Sequence, residues 1–200
     1  MFTYENYIEW IKLIYKDEIR YGGWELMWNP EYGVPHNNVI VDKDARLREL
    51  NKLMIEEFPF LLPRNRWTDQ PMENYDYSYN EWQALELGWQ VNFGWRLLHE
   101  LNILVQAMIH PENFRITQIK EKFGEFRLYC NGDKYIYQLI DDYTKYSRTI
   151  CIRCGQPAQY ATTGWFSFWC EDCVRNLNLK DIKPIEEFER WWNGEDENND

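Results

Sequence analysis

Four cysteines near the end of the chain have the type and spacing of metal ligands. Cys151 and Cys154 form one Cys-x₂-Cys pair, and Cys170 and Cys173 form a second pair after fifteen intervening residues. Two such pairs at this separation are typical of a four-thiolate zinc site, in which each pair lies in a tight turn. Because four thiolates complete a tetrahedral ion, we predict a structural Zn²⁺ without an open catalytic position. Two disulfides or four free thiols are the alternative interpretation.

Composition and the first residues restrict the class of protein. The chain has 200 residues, a net charge of −11 and 18% aromatic residues, which fits one domain with a small metal-held module. An acidic chain is repelled by phosphate backbones, so broad affinity for nucleic acid is not expected. The start has no secretory signal and no run is long enough for a membrane span. With paired cysteines in addition, we expect a cytoplasmic protein.

Helical periodicity predicts most of the first half of the chain. Ser78 and Glu81 have the spacing of a capping box, and Gly88 and Gly94 predict a break before the central core helix. In chain order, the predicted elements are a helix over 4–20 capped by Thr3, an aromatic loop over 24–38, a short strand over 39–41, a helix from Asp42 or Asp44 to 58, a loop over 59–77, a helix from 78 to 89 and the core helix over about 94–109.

The period changes from helical to alternating after residue 114. The alternation predicts a β-hairpin over 115–130, with Gly124 at a positive-φ turn position. Cys130, the fifth cysteine, ends the second strand and is interpreted as a small buried hydrophobe. The remaining predicted elements are a helix over 135–146, the zinc module over 150–175, a short helix after Pro184 that returns Phe188 to the protein, and a disordered acidic tail over 194–200.

These elements predict an α+β fold, with a helical N-terminal half packed on a β-hairpin and a C-terminal four-cysteine zinc ribbon. The predicted segments are 1–45, an N-terminal helix and aromatic loop; 46–149, the α+β core with the hairpin over 115–130; 150–176, the zinc ribbon; 177–193, the C-terminal helix; and 194–200, the acidic tail.

Several motifs occur in an order that resembles a known group of proteins. Residues 120–124 read KEKFG and 126–129 read FRLY, and the first cysteine pair continues as Cys-x₂-Cys-Gly-x-Pro to Pro157, followed by Gly164-Trp165. With Phe58-Pro59 and Gly94-Trp95 upstream, this order resembles uncharacterised small proteins of bacteriophages and prophages, which have a KEKFGGLRFY-type strand pair before a four-cysteine ribbon. The resemblance covers about residues 47–175.

The resemblance implies a phage origin, an α+β fold, a structural zinc ion and a place in the host cell cytoplasm. It implies no established activity. Glu125 departs from the pattern, since a second glycine usually stands there, and residues 1–45 have no counterpart in the group.

The residues that commonly carry catalysis lack a catalytic arrangement in this sequence. The three histidines, His36, His99 and His110, have no metal-ligand spacing, and no P-loop or nucleophile-elbow motif is present. His99, on the core helix, is interpreted as a structural histidine. Asp141 and Asp142 are adjacent on a predicted helix, where their side chains point about 100° apart. We therefore predict that the protein is not an enzyme.

Two kinds of binding surface remain open. In the first, Lys120, Lys122 and Arg127 lie among aromatic residues in the locally basic segment 111–155, which has eight basic and six acidic residues. Such a face is typical of nucleic-acid binding by a zinc ribbon, although pairing with nearby acids explains the same cations.

Protein recognition is the interpretation that we favour. Tryptophan and tyrosine on polar loops are typical of protein interfaces, although the same rings also serve to cover an aromatic core. The predicted contact residues are Trp24, Trp28, Trp67, Tyr75 and Tyr77. We predict a zinc-stabilised binding protein that modulates a host or anti-phage defence protein and whose acidic surface is suited to imitate nucleic acid.

Overall fold

The computed structural model describes residues 2–15, 37–65 and 67–192, and it describes side chains in these ranges except those of 37–43, 191 and 192. The fold is α+β, as predicted: N-terminal helices, a β-hairpin, and a small C-terminal sheet beside four clustered cysteines. The predictions for loop 24–38, with Trp24 and Trp28, and for the tail over 194–200 lie outside the described residues.

The first two helices form one side of the core. Helix α1 (Tyr4–Ile14) begins at Thr3, whose hydroxyl accepts the Asn6 N–H at 3.3 Å while the Asn6 side chain accepts the Thr3 N–H at 3.2 Å. Helix α2 covers Asn37–Glu57. The predicted strand over 39–41 and the predicted start at Asp42 or Asp44 are therefore wrong. A short β-branched run forms a strand only when a partner strand is available, and here the run continues a helix.

The segment before the core helix is irregular, as its glycines predicted. A 3₁₀ turn (Glu81–Ala84) and a helical turn (Leu87–Trp89) lead into a π-helical segment (Gln90–Gly94), and only then does α3 (Trp95–Gln106) begin. The predicted capping box is wrong, because the Asn80 side chain accepts the Trp82 N–H at 2.9 Å. Asn80 is fully buried and also donates to Asn51 at 3.1 Å, a contact that Ser78 does not make.

The β-hairpin consists of β1 (Ile116–Lys122) and β2 (Glu125–Cys130), joined by a two-residue turn. Phe123 and Gly124 have φ angles of 56° and 74°, so both turn residues are left-handed, and the prediction for Gly124 is confirmed. Helix α4 (Lys134–Ser147) covers the outer edge of β2: the Phe126 N–H donates to the Ser147 hydroxyl at 2.9 Å. A polar cap of this kind protects a sheet edge from further pairing.

The C-terminal part forms a second sheet around the cysteines. Strands β3 (Tyr160–Thr162), β4 (Phe168–Trp169) and β5 (Ile182–Pro184) pair in the antiparallel order β4-β3-β5, and the short helix α5 (Glu171–Asn176) lies between β4 and β5 in sequence. Helix α6 (Ile185–Trp192) follows and buries Phe188. The helix predicted after Pro184 is thus present, but the strand before it was not predicted.

Two hydrophobic clusters lie under these elements. The larger one joins α1, α2, α3, the hairpin and α4, and the smaller one has Ala161, Phe168 and Phe188 as its buried members among the described residues. Of the helices in the described ranges, none combines the length and the apolar character needed to cross a membrane.

Candidate metal centre

The four predicted ligands come together at one point. Atoms Sγ of Cys151, Cys154, Cys170 and Cys173 all lie within 4.8 Å of one another, and the Cys154 and Cys170 sulfurs are 3.5 Å apart. A tetrahedral ion with metal–sulfur bonds of about 2.3 Å would separate its sulfurs by about 3.8 Å. All five cysteines are unpaired thiols, so the structure does not contain the two disulfides of the alternative interpretation.

The first cysteine pair lies in a turn that depends on Gly155. The Gly155 N–H donates to the Cys151 carbonyl at 3.0 Å, and the Cys151 N–H donates to the Gln156 carbonyl at 2.7 Å. Gly155 has a φ of 78°, a conformation that residues with a Cβ rarely adopt. The turn therefore folds the backbone back past both sulfurs and presents them on one side.

This turn is docked on the helical core through very close backbone contacts. The Gly88 N–H donates to the Ile152 carbonyl at 2.9 Å, and the Asn92 side chain donates to the Gly155 carbonyl at 2.8 Å. A Cβ at Gly88 would lie 2.0 Å from the Cys151 carbonyl oxygen, which is closer than atoms can approach. Gly88 and Asn92 position the site, and this role was not predicted from the sequence. Gly88 itself was a signal, because a glycine inside a helical pattern costs stability and often has a packing reason.

The second cysteine pair lies at the start of α5. Cys170 is the N-cap residue, and its sulfur accepts the Cys173 N–H at 3.5 Å. The Glu171 N–H donates to the Gln159 side chain at 2.9 Å, which ties the helix to the β3 side of the sheet. Cys151 and Cys170 are buried and Cys154 and Cys173 are half-buried, so the sulfurs form a closed cluster just below the surface.

The close sulfurs influence one another's protonation. The neighbouring Cys154 and Cys173 thiols lower the pKa of Cys151, and the same neighbourhood raises the pKa of Cys154 and of Cys173. A metal ion that takes the place of the thiol protons converts the remaining thiols to thiolates, so metal binding releases protons.

Acidic and basic side chains lie in the seam between the core and the ribbon. Burial raises the pKa of Glu86, the nearby charge of Glu121 raises it further, and the Arg153 guanidinium acts in the opposite direction. The Arg153 Nη2 atom is buried and has no hydrogen-bond partner among the described residues. The seam is thus electrostatically unfavourable as well as tightly packed.

The hairpin places the predicted cations on one face. Strand pairing aligns Lys120 with Arg127 and Lys122 with Glu125, while Ile119 and Phe126 point to the core. Arg127 forms an ion pair with Glu125, and Arg148 lies 3.5 Å from the same carboxylate. The structure therefore brings Lys120, Lys122 and Arg127 together, although Arg127 is neutralised by its neighbour.

The residues considered for catalysis have structural surroundings. The His99 ring packs against the rings of Phe58 and Trp95, with centroid distances of 5.0 and 4.7 Å. Asp141 is exposed and pairs with Lys145 at 2.6 Å. Asp141 therefore lies on a solvated helix face, as predicted, and the ring contacts of His99 are those expected of a structural histidine. His36 lies outside the described residues.

Cys130 is half-buried against the core, and burial raises the pKa of its thiol, which keeps it protonated. These surroundings agree with its interpretation as a small hydrophobe in the second strand.

The described part of the aromatic surface lies on the loop before the 3₁₀ turn at Glu81–Ala84. Trp67 is 90% exposed, and the Tyr75 and Tyr77 rings are half-buried against each other with centroids 5.1 Å apart. The Tyr75 hydroxyl donates to the Tyr79 carbonyl, and burial raises the pKa of Tyr75 to about 12. Among the described residues, neither Trp67 nor the pair of Tyr75 and Tyr77 belongs to the side chains that pack against the larger hydrophobic cluster.

Comparisons of the chain with protein families, curated proteins and solved structures found no significant match. The resemblance to phage proteins therefore stays a prediction that rests on the motifs alone.

Proposed function

We propose that the chain is a non-enzymatic binding protein whose C-terminal ribbon is held together by a structural Zn²⁺. The observation that carries the metal is the cluster of four cysteine sulfurs within 4.8 Å of one another. Thiolates are soft ligands that favour Zn²⁺ among the common divalent ions, and four of them leave no position for a substrate or a reactive water. The zinc would therefore shape the ribbon rather than carry out a reaction.

Elemental analysis of the protein purified without chelator tests the metal. We expect about one zinc ion per chain, which is lost in Cys170→Ser. Cys130→Ser is the matched control, because Cys130 lies outside the cluster and its replacement leaves the ligands intact. A wild-type chain without a transition metal, or a Cys170→Ser variant that keeps its zinc, would overturn this part of the proposal.

The proposed partner is a protein, and its contact surface is the loop around Trp67. This loop and strand β1 enclose a cleft of about 670 Å³, with Phe60 and Leu61 on one side, Tyr75 and Tyr79 on another, and Ile116 from the strand. Trp67 does not line the cleft but lies in sequence between two residues that do, Asn65 and Asp69. Exposed tryptophan and tyrosine near a cleft are typical anchors of protein interfaces. Trp67 gains nothing from the core, so binding to a partner is the role that its exposure favours.

The proposed setting is a phage-encoded protein that modulates a host or defence protein. Two observations support it: the order of the motifs resembles phage proteins, and the net charge is −11. A basic defence or transcription protein would be attracted to such an acidic surface, as it is to nucleic acid. Most of the acidic residues lie outside segment 111–155, so that segment is not part of the mimicry.

Comparative capture tests the partner. Wild-type protein, Trp67→Ala and Tyr79→Ala are used as baits in lysate of the host, with Trp165→Ala as the matched control because Trp165 is 80% exposed elsewhere. We expect a specific protein that is lost with the two loop variants, kept with the control, and bound directly when purified. If captured proteins are the same for all four baits, the Trp67 surface is not the binding site.

A further inference from the structure

We propose that a second surface, at the tip of the β-hairpin, binds single-stranded nucleic acid. This hairpin-tip surface consists of Lys120, Lys122, Phe123 and Tyr129. It is separate from the cleft beside the Trp67 loop and does not depend on the protein partner proposed above. Because the Phe123 ring packs beside Phe166 of the ribbon, it does rest on the proposed zinc-held fold.

The cations of this surface lack carboxylate partners. Lys120 and Lys122 lie on the solvent face of β1, and the Lys120 ammonium donates to the neutral Gln118 side chain at 2.8 Å. Within the described ranges neither lysine forms an ion pair, whereas Arg127 and Arg148 share Glu125. Two positive charges are therefore available to an anionic ligand.

Two acids of the hairpin lie close to these lysines in the strand pairing, but both are engaged elsewhere. Glu125 is opposite Lys122 and is already shared by two arginines. Glu121 points to the other face of β1, where it accepts hydrogen bonds from the Gly124 N–H at 2.6 Å and from the Trp165 indole N–H at 3.3 Å. The two lysines therefore determine the charge that the surface presents.

The aromatic rings of the surface are largely exposed. Phe123 is 61% and Tyr129 is 44% exposed, and the Lys122 ammonium lies 5.3 Å from the Phe123 ring centroid. Along the same face, the Lys120 ammonium lies 4.9 Å from the ring of Tyr129. Aromatic faces next to cations are the combination that proteins use to stack bases and neutralise phosphates of single strands.

Phe123 is costly for the hairpin itself. With a φ of 56° it occupies the left-handed region, where a bulky side chain is rare and asparagine is favoured. The type I′ turn would be more stable with Asn-Gly than with Phe-Gly. The ring packs beside that of Phe166, with centroids 6.4 Å apart, but it stays 61% exposed, so its outer face is available to a ligand that stacks on it.

A single strand fits this surface better than a duplex, because a duplex hides the base faces that the rings need. The acidity of the remaining chain makes the binding weak and sensitive to salt. If two phosphates are neutralised, the slope of log K against log salt is about −1.4, at roughly −0.7 per phosphate of a single strand.

Fluorescence anisotropy with a labelled oligo(dT) probe at low ionic strength tests the proposal. The decisive variant is Phe123→Asn, which favours the turn but removes the ring and its contact with Phe166. Because these effects oppose each other, we expect its melting temperature to stay close to that of wild type, and its affinity for oligo(dT) to fall at least about fivefold, the effect of losing one stacked base. Tyr129→Ala should lose a similar amount.

The double variant Lys120→Glu/Lys122→Glu should weaken binding by at least about tenfold and flatten the salt dependence. Lys145→Glu and Tyr135→Ala are the matched controls, since both residues are exposed on helix α4, and both should bind like wild type. Zinc content, measured in each sample, separates loss of the ribbon from loss of the surface.

Three results would overturn the proposal. The first is no detectable binding of oligo(dT) by the zinc-loaded protein, and the second is equal affinity of Phe123→Asn and wild type for oligo(dT). The third is displacement of the probe by polyglutamate as effectively as by unlabelled oligo(dT). The last result would show that the surface recognises negative charge alone, as on an acidic protein, and not stacked bases.

Discussion

The helical core and the cysteine ribbon are stabilised by different means. The core buries large side chains, including Trp82, Trp89 and Phe93 of the irregular segment before α3. The ribbon buries Ala161, Phe168 and Phe188 among its described residues. A small apolar cluster cannot offset the conformational entropy that such a segment loses on folding. The core therefore folds by burial of apolar surface, whereas the ribbon depends on its proposed metal site.

Loss of one ligand is the largest effect that we expect. Cys170→Ser should unfold the ribbon, because metal-binding free energy at such sites, about 10–16 kcal/mol, is shared with folding. The helices of the core should remain. Limited proteolysis should cut within 150–190 and leave the core intact, with far-ultraviolet circular dichroism as the second measurement. Cys130→Ser is the control. Unfolding of the whole protein in Cys170→Ser would show that the core also depends on the cysteine site.

A cavity in the core tests whether the core is stabilised by apolar burial without help from the metal site. Leu101 is completely buried in α3, so Leu101→Ala should lower the free energy of unfolding by about 2–5 kcal/mol, measured by urea denaturation. Its zinc content should be unchanged. Ile103→Ala is the control on the same helix, where the side chain is 68% exposed and the expected change is within about 0.5 kcal/mol. Zinc loss in Leu101→Ala would contradict the independence of the two regions.

The contact between the core and the ribbon should contribute less to the free energy of unfolding. In Gly88→Ala the new Cβ would meet the Cys151 carbonyl oxygen at 2.0 Å, so the first cysteine turn must move. We expect a loss of about 1–3 kcal/mol and faster release of zinc to a chelator. Gly164→Ala is the control, because no atom lies within 4 Å of its added Cβ. Equal zinc release from both variants would show that docking does not support the site.

Local patterns in the sequence predicted the ligands and the hairpin turn. The spacing of Cys151 and Cys154 determines a metal turn, and Gly124 marks a turn between two alternating runs; both signals involve neighbouring residues. The docking of the ribbon was not predictable in this way. Asn92 and Gly155, which join it to the core, are 63 residues apart in the chain.

The errors in the element boundaries also arise from contacts between residues that are distant in sequence. Ser78 and Asn80 are both good N-caps by residue type. The structure uses Asn80, since its side chain also bonds to Asn51 in the buried core, and no local pattern contains that contact. Strand β5 was missed because three residues ending in Pro184 carry almost no strand signal until β3 pairs with them.

The smallest effect that we expect concerns pH and the seam between the regions. Burial raises the folded-state pKa of Glu86 above its ordinary value of 4.5. Its stabilising contribution is therefore fully present below pH 4.5 and is lost as the pH rises through the raised pKa. Glu86→Gln should be more stable than wild type at neutral pH, with the difference vanishing in acid. Urea denaturation at a series of pH values measures this, and a difference that grows in acid would contradict it.

Strand β5 has a consequence for the order of events during synthesis. The register pairs Tyr160 with Pro184 and Thr162 with Ile182, so the middle strand of the ribbon waits for residues that leave the ribosome after all four cysteines. The nascent chain thus presents all four cysteines before strand β5 and Phe188 are there to enclose them. The proposed zinc ion can therefore bind before closure, and the last-made strand would then close the site around it.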